Sequence, residues 1–223
     1  MRQSNLITRL CKESDLKNYT FQVDKYQLEW IFSPIRTKRD VIGLLMRTIK
    51  LMMLPAISPV TSSGQITLQI SKMSRLFFIT NHKMFSVNFP FVAMEKDGCL
   101  IFRSVHHEDV NSMVASHVLG ILESTDSLES REVFHFAEPI SDLCESDVDF
   151  WCLFRELLTN EDGYIRYDHD QVRSNGHIHP LDHLDVFYTS GNTFKLGLNT
   201  SISLGNFADV LDISTNCHYV TTP

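Results

Sequence analysis

The stretch Tyr164–Leu198 holds the chain's densest set of groups able to bind ions or move protons: Arg166, Asp168, Asp170, His177, His179, Asp182, His183, Asp185 and Lys195. Their spacing is informative if the stretch forms β-strands, because alternate side chains then point to opposite faces. In Tyr164–Asp168 (YIRYD), Arg166 and Asp168 share one face and Ile165 and Tyr167 the other. In His183–Tyr188, His183 and Asp185 oppose Leu184, Val186 and Tyr188; in Thr193–Leu198, Lys195 opposes Phe194, Leu196 and Leu198. Neighbouring strands would gather Arg166, Asp168, His183, Asp185 and Lys195 on one polar surface. His177 and His179 would stand at its rim, in the loop before Pro180.

Three chemistries suit such a surface. His183 oriented by Asp168 or Asp185 can act as a general acid–base, with Arg166 or Lys195 holding a phosphate. His177, His179 and His183, joined by the aspartates, can ligate a divalent ion such as Zn²⁺ or Mn²⁺, which activates water or grips phosphate. A divalent metal is not favoured, and no cofactor is assigned. The third reading is structural: His, Asp and Arg on a sheet face pair with one another beneath a loop. HIHPLDH does not match the H-x-H-x-D-H signature of the metallo-β-lactamases, because one extra residue separates the second His from the Asp.

Other motifs are weaker. The phosphate-loop patterns G-x-x-x-x-G-K-[ST] and G-x-G-x-x-G are absent. Cys152 falls among the apolar positions of a helix, which suits an inert buried thiol. Five scattered cysteines with no C-x-x-C pair argue against a disulfide framework and a cysteine-rich zinc site. The charge is divided unevenly. Residues 1–100 carry 14 Lys+Arg against 7 Asp+Glu, and residues 101–223 carry 6 against 20, so a net of +7 faces one of −14. The two halves can attract each other within one fold. The basic cluster Arg36, Lys38, Arg39, Arg47 and Lys50 can instead contact nucleic acid or an acidic partner.

These residues need elements to position them. A short helix is expected over 4–17. Thr37–Leu54 has apolar Val41, Leu44, Leu45, Ile49 and Met52 at helical spacing, with Pro55 as its stop. Gln65–Ser71, Arg75–Thr80, Met84–Val92 and Cys99–Val105 read as a four-stranded antiparallel meander, turning at Asn81-His82-Lys83 and Lys96-Asp97-Gly98. A helix over 110–122, a short strand over Val133–Ala137 and a helix over Asp147–Leu158 follow. Then come the His/Asp-rich strands, a turn at Ser190-Gly191-Asn192 and a closing helix over Ser203–Ile213. The pattern is a single α+β domain: an antiparallel β-sheet of about six strands with three to five packed helices. Along the chain it divides into a helical part (1–55), a β-meander (64–105), helices (106–160) and the His/Asp-rich strands with their closing helix (161–213).

The N-terminus shows no signal-peptide pattern, and the longest apolar run, Ile42–Leu54, contains Arg47 and Lys50. The expectation is a cytoplasmic protein with reduced thiols and no membrane span.

YIRYD, then His179-Pro180-Leu181 and His183-Leu184-Asp185, resembles an uncharacterised bacterial family with an R-[YF]-D…H-P-L-x-H-[LI]-[HD] pattern near the C-terminus. The resemblance covers about the last third of the chain. Asp185 stands where many members of that family carry His. Such domains of unknown function are associated with mobile-element, phage-defence and toxin–antitoxin loci. The resemblance implies a site at Arg166, Asp168, His179, His183 and Asp185. The functional expectation is a bacterial defence or toxin-type component acting on nucleic acid or nucleotide phosphates; as an enzyme, it would be a phosphodiesterase or nuclease-like hydrolase. The alternative is a non-enzymatic subunit, assembled as a homo-oligomer or with a protein partner from the same operon.

Overall fold

The computed structural model describes residues 17–54, 62–72, 74–123, 133–189 and 192–219, with the backbone alone at 133–136, 187–189 and 192–193. Along the chain these form β1 (Lys17–Val23), α1 (Lys25–Ile31), α2 (Lys38–Met52), β2 (Gly64–Ile70), β3 (Arg75–Ile79), β4 (Lys83–Asn88), β5 (Val92–Lys96) and β6 (Cys99–Arg103). They continue as α3 (Ser112–Glu123), α4 (Val133–Cys144), α5 (Phe150–Thr159), β7 (Ile165–His169), β8 (Asp182–Thr189), β9 (Asn192–Leu198) and α6 (Leu204–Val210). The architecture is α+β, with more strands than expected. The helix expected over 4–17 lies outside the described residues except at Lys17, which opens β1. No helix among the described residues is long and apolar enough to cross a membrane.

The chain folds into two compact units. One comprises the described residues of 1–28, 59–88 and 163–223. Its seven strands pair antiparallel in the order β1-β2-β3-β4-β7-β8-β9. Every neighbour in this sheet is also the next of its strands along the chain; the one long step is from β4 to β7. Its core lies on one face, where Phe77, Met84, Ile165, Tyr167 and Leu184 pack with Phe207 of α6. The Phe207 ring meets Phe77 edge-on at 6.0 Å. Burying an aromatic side chain of this size stabilises by roughly 2–3 kcal/mol. The Ser203 hydroxyl caps α6 by accepting from the Asn206 N–H. The opposite face is apolar on β2 to β4, with buried Ile66, Leu68, Leu76, Phe78 and Phe85, and turns polar at β7 and β8.

The other unit comprises the described residues of 29–58 and 89–162. It contains α2, the β5–β6 hairpin and helices α3 to α5. Thr37 and Asp40 start α2 with a capping box: the Thr37 hydroxyl accepts from the Asp40 N–H and the Asp40 carboxylate accepts from the Thr37 N–H. The hairpin turns on Asp97-Gly98, both with positive φ (54° and 76°), as a two-residue turn matched to strand twist requires. Phe89, Phe91 and Phe102 form an edge-to-face cluster.

Two local expectations differ from the structure, and one strand is additional to them. Val133–Ala137 belongs to helix α4, not to a strand. A run of five residues is too short to separate the two states, and Pro139 inside the same helix masks its continuation. The stretch 84–105 does not extend a four-stranded meander: β4 stays in the large sheet, while β5 and β6 pair only with each other. Lys17–Val23, an element the sequence reading does not contain, pairs with β2.

Candidate functional site

The register of β7, β8 and β9 converts face parity into contact. Arg166 lies opposite Asp185, Asp168 opposite His183, and Asp185 opposite Lys195. Cross-strand partners of this kind bring side chains within direct reach. The five residues expected on one polar face therefore stand together, and β4 adds a sixth: Lys83 lies opposite Asp168.

At the centre, His183, Asp168 and Asp185 are 1%, 4% and 3% exposed. Arg166 joins the two carboxylates, its Nε donating to Asp168 Oδ2 at 2.7 Å and its Nη2 donating to Asp185 Oδ2. Burial pulls the Arg166 pKa down, but its interactions with Asp168, Tyr164 and Asp185 outweigh it, so the guanidinium is held more firmly charged than usual. Burial pushes the neighbouring Tyr164 hydroxyl above its ordinary pKa, against the opposing pull of Arg166.

His183 Nδ1 lies 2.9 Å from the Pro180 carbonyl oxygen. Its Nε2 faces Asp168 Oδ2 at 3.8 Å and Asp185 Oδ1 at 3.9 Å. One ligand atom from each of the three residues lies within 4.8 Å of the others. Asp185 Oδ1 is buried without a hydrogen-bond partner. At the rim, Lys83 Nζ stands 3.6 Å from Asp168 Oδ1 and Lys195 Nζ 3.8 Å from Asp185 Oδ1. Both separations exceed a hydrogen bond, so the ammonium protons are not committed to these carboxylates. The lysine side chains are 36% and 38% exposed.

Pro180 reaches its position because residue 197, opposite His183 in β9, is glycine. A Cβ there would stand 2.9 Å from Pro180 Cγ, too close for carbon atoms.

The loop histidines take other places. His177 is exposed. The His179 ring packs edge-on against His183 with centroids 4.6 Å apart, and its Nδ1 is buried without a partner. Asp182 points to the opposite face, where the Tyr167 hydroxyl donates to Oδ1 at 2.5 Å and His169 Nδ1 lies 2.9 Å from the same oxygen. Asp170 accepts from the backbone and guanidinium of Arg173, and the backbone bond leads in holding its carboxyl below the usual range.

The basic cluster lies in the other unit. Lys38 pairs with Asp162 at 2.6 Å, Arg47 with Glu123 at 3.4 Å, and Lys50 donates to Ser116 Oγ at 2.8 Å. Arg36 is exposed, and Arg39 lines a groove with Trp30, Ile35, Arg47, Leu119 and Leu122.

Lys83 and Tyr164 are the site residues the sequence reading lacks. Parity along β4 places Lys83 with Phe85 and Val87, but nothing local says that β4 borders β7. No protein-family model, no curated protein and no solved structure matches this chain.

Proposed function

We propose that this protein hydrolyses phosphoester bonds, in nucleic acid or nucleotides, at the face formed by Arg166, Asp168, His183, Asp185, Lys83 and Lys195. The observation that carries the reading is the layering of the site: a buried Asp–His–Asp centre with two half-exposed lysines directly above it. Lys83 and Lys195 hold the phosphoryl oxygens, and their charge favours the negative charge that develops in the transition state. The Asp168–His183–Asp185 centre activates the attacking water. Arg166, bonded to both carboxylates, fixes their separation and is a positioning residue. The resemblance to the bacterial R-[YF]-D…H-P-L-x-H pattern supports a defence or toxin-type role, and the five scattered cysteines without a C-x-x-C pair support a cytoplasmic setting.

The partner-binding alternative through Arg36, Lys38, Arg39, Arg47 and Lys50 is less well supported, because three of those cations already have partners within their own unit.

The test is a panel of bis(p-nitrophenyl) phosphate, single- and double-stranded DNA, RNA and nucleoside triphosphates, assayed with divalent cations supplied. Wild-type protein should cleave at least one, and Asp168→Asn should lose about 100-fold or more while keeping its circular dichroism spectrum. No cleavage across the panel, or full activity in Asp168→Asn, defeats the reading.

A further inference from the structure

We infer that Asp168, His183 and Asp185 form a binding site for one divalent cation of the Zn²⁺ or Mn²⁺ class. The inference supplies the means by which the proposed hydrolytic centre activates water, and rests on that reading for its role though not for its existence.

Four observations converge. The first is donor chemistry: one imidazole nitrogen and two carboxylates are a set that Zn²⁺ and Mn²⁺ accept, whereas a thiolate-seeking ion would not. The second is spacing. His183 Nε2 is 3.8 Å from Asp168 Oδ2 and 3.9 Å from Asp185 Oδ1. Atoms bound to one ion at about 2.0–2.2 Å stand roughly 3 to 4.4 Å from one another. Both nitrogen–oxygen separations fall within that span, and all three ligand atoms lie within 4.8 Å of one another.

The third is the tautomer. A carbonyl oxygen only accepts, so the bond between His183 Nδ1 and Pro180 O places the proton on Nδ1. In the neutral ring the Nε2 lone pair is then the one turned towards the two carboxylates. Asp168 Oδ2 and Asp185 Oδ1 face that lone pair beside the Arg166 guanidinium, and an ion between the three atoms would be bound by all of them. Donation of the second ring N–H to a backbone carbonyl is how metal-bound histidines are ordinarily held. The fourth is Asp185 Oδ1, an oxygen of a side chain only 3% exposed, which has no hydrogen-bond partner and faces His183 Nε2. A buried carboxylate oxygen left unsatisfied is costly, and an ion satisfies it.

Arg166 completes the arrangement. It holds Asp185 by Oδ2, leaving Oδ1 to the ion, and holds Asp168 by the Oδ2 that faces His183, an oxygen the guanidinium and the ion would share. Lys195 is the local competitor for Asp185 Oδ1, but at 3.8 Å and 38% side-chain exposure it can turn to solvent when the ion enters. Three protein ligands leave a further coordination position, as a catalytic ion requires for water. The proton lost by that water passes to solvent, the hydroxide attacks phosphorus, and the ester oxygen leaves with its bonding pair and takes a proton.

The full chain, stripped with chelator and dialysed, is titrated with Zn²⁺ and separately with Mn²⁺ by calorimetry, with Mn²⁺ binding followed in parallel by electron paramagnetic resonance. One ion per chain is expected, with affinity reduced at least about tenfold in Asp185→Asn and in His183→Gln. Asp185→Asn is nearly isosteric and guards against a folding failure at position 183. No stoichiometric binding to wild type, unchanged affinity in Asp185→Asn, or loss of binding in His177→Ala but in neither site variant overturns the inference. Binding without hydrolysis leaves the ion site standing and defeats only the proposed activity. Hydrolysis that persists undiminished in excess chelator defeats the ion and leaves the hydrolase reading intact.

Discussion

His183 Nδ1 and the carbonyl oxygen of Pro180, three residues apart, lie 2.9 Å from each other, and this contact decides which way the most buried histidine of the site presents its lone pair. The contact depends on a third residue. Gly197 sits across the ladder from His183 and leaves room for the Pro180 ring. Gly197→Ala should push Pro180 from the sheet and release Nδ1. Nitrogen-detected NMR should then show His183 losing its fixed Nδ1–H form, with stability falling by about 1–2 kcal/mol. An unchanged tautomer in the variant would separate Pro180 from the control of His183.

Lys195 should affect ion and phosphate in opposite directions. Its ammonium shares Asp185 Oδ1 with the inferred cation, so Lys195→Met should tighten Mn²⁺ binding by about tenfold. The same variant should weaken inorganic phosphate binding or raise KM for a phosphodiester. Calorimetry with each ligand reads the two effects separately. A variant that weakens both would mean that Lys195 supports the carboxylate instead of competing for it.

Alkaline pH should unfold the sheet unit in part through Tyr167. Burial foremost, then the hydrogen bond and charge of Asp182, raises its pKa far above the ordinary tyrosine value. The folded state therefore holds this proton where the unfolded chain releases it. The associated stability is fully present below about pH 10, the unfolded value, and is lost as pH rises towards the folded one. Arg75, lowered to about 10 by burial, acts oppositely in that range. The informative quantity is thus a difference: between pH 9 and 11 the Tm of wild type should fall more steeply than that of Tyr167→Phe. Parallel curves would show that Tyr167 does not contribute.

Arg75 should matter for stability although it lies outside the site. Its guanidinium, 6% exposed, donates to Ser86 Oγ at 2.9 Å, to Asn88 Oδ1 at 2.5 Å and to the Gly163 carbonyl. It thereby ties β3 and β4 to the chain entering β7. All three acceptors are neutral, so the buried charge costs free energy that the bonds must offset. Arg75→Met relieves that cost but orphans the acceptors, and a net loss of about 2–3 kcal/mol in chemical denaturation is expected. A gain would mean that desolvation outweighs the bonds.

The sequence by itself determined the two faces of the last three strands. Alternation is a property of any extended chain of L-residues, so Arg166 with Asp168, His183 with Asp185, and the apolar set opposite them follow from order alone. It likewise determined α2, whose apolar spacing and Thr37–Asp40 start are contained within one segment. What only the tertiary structure decided is which strands adjoin. The pairing of β4 with β7 joins residues some eighty positions apart, and it brings Lys83 beside Asp168. Backbone hydrogen bonds carry no address, so such a partner is chosen by the burial of whole faces, a sum over many residues that no single segment displays. The same holds for Pro180 and His183: a proline carbonyl aimed at an imidazole is a matter of a few tenths of an ångström, set by the missing side chain of Gly197 on a third strand.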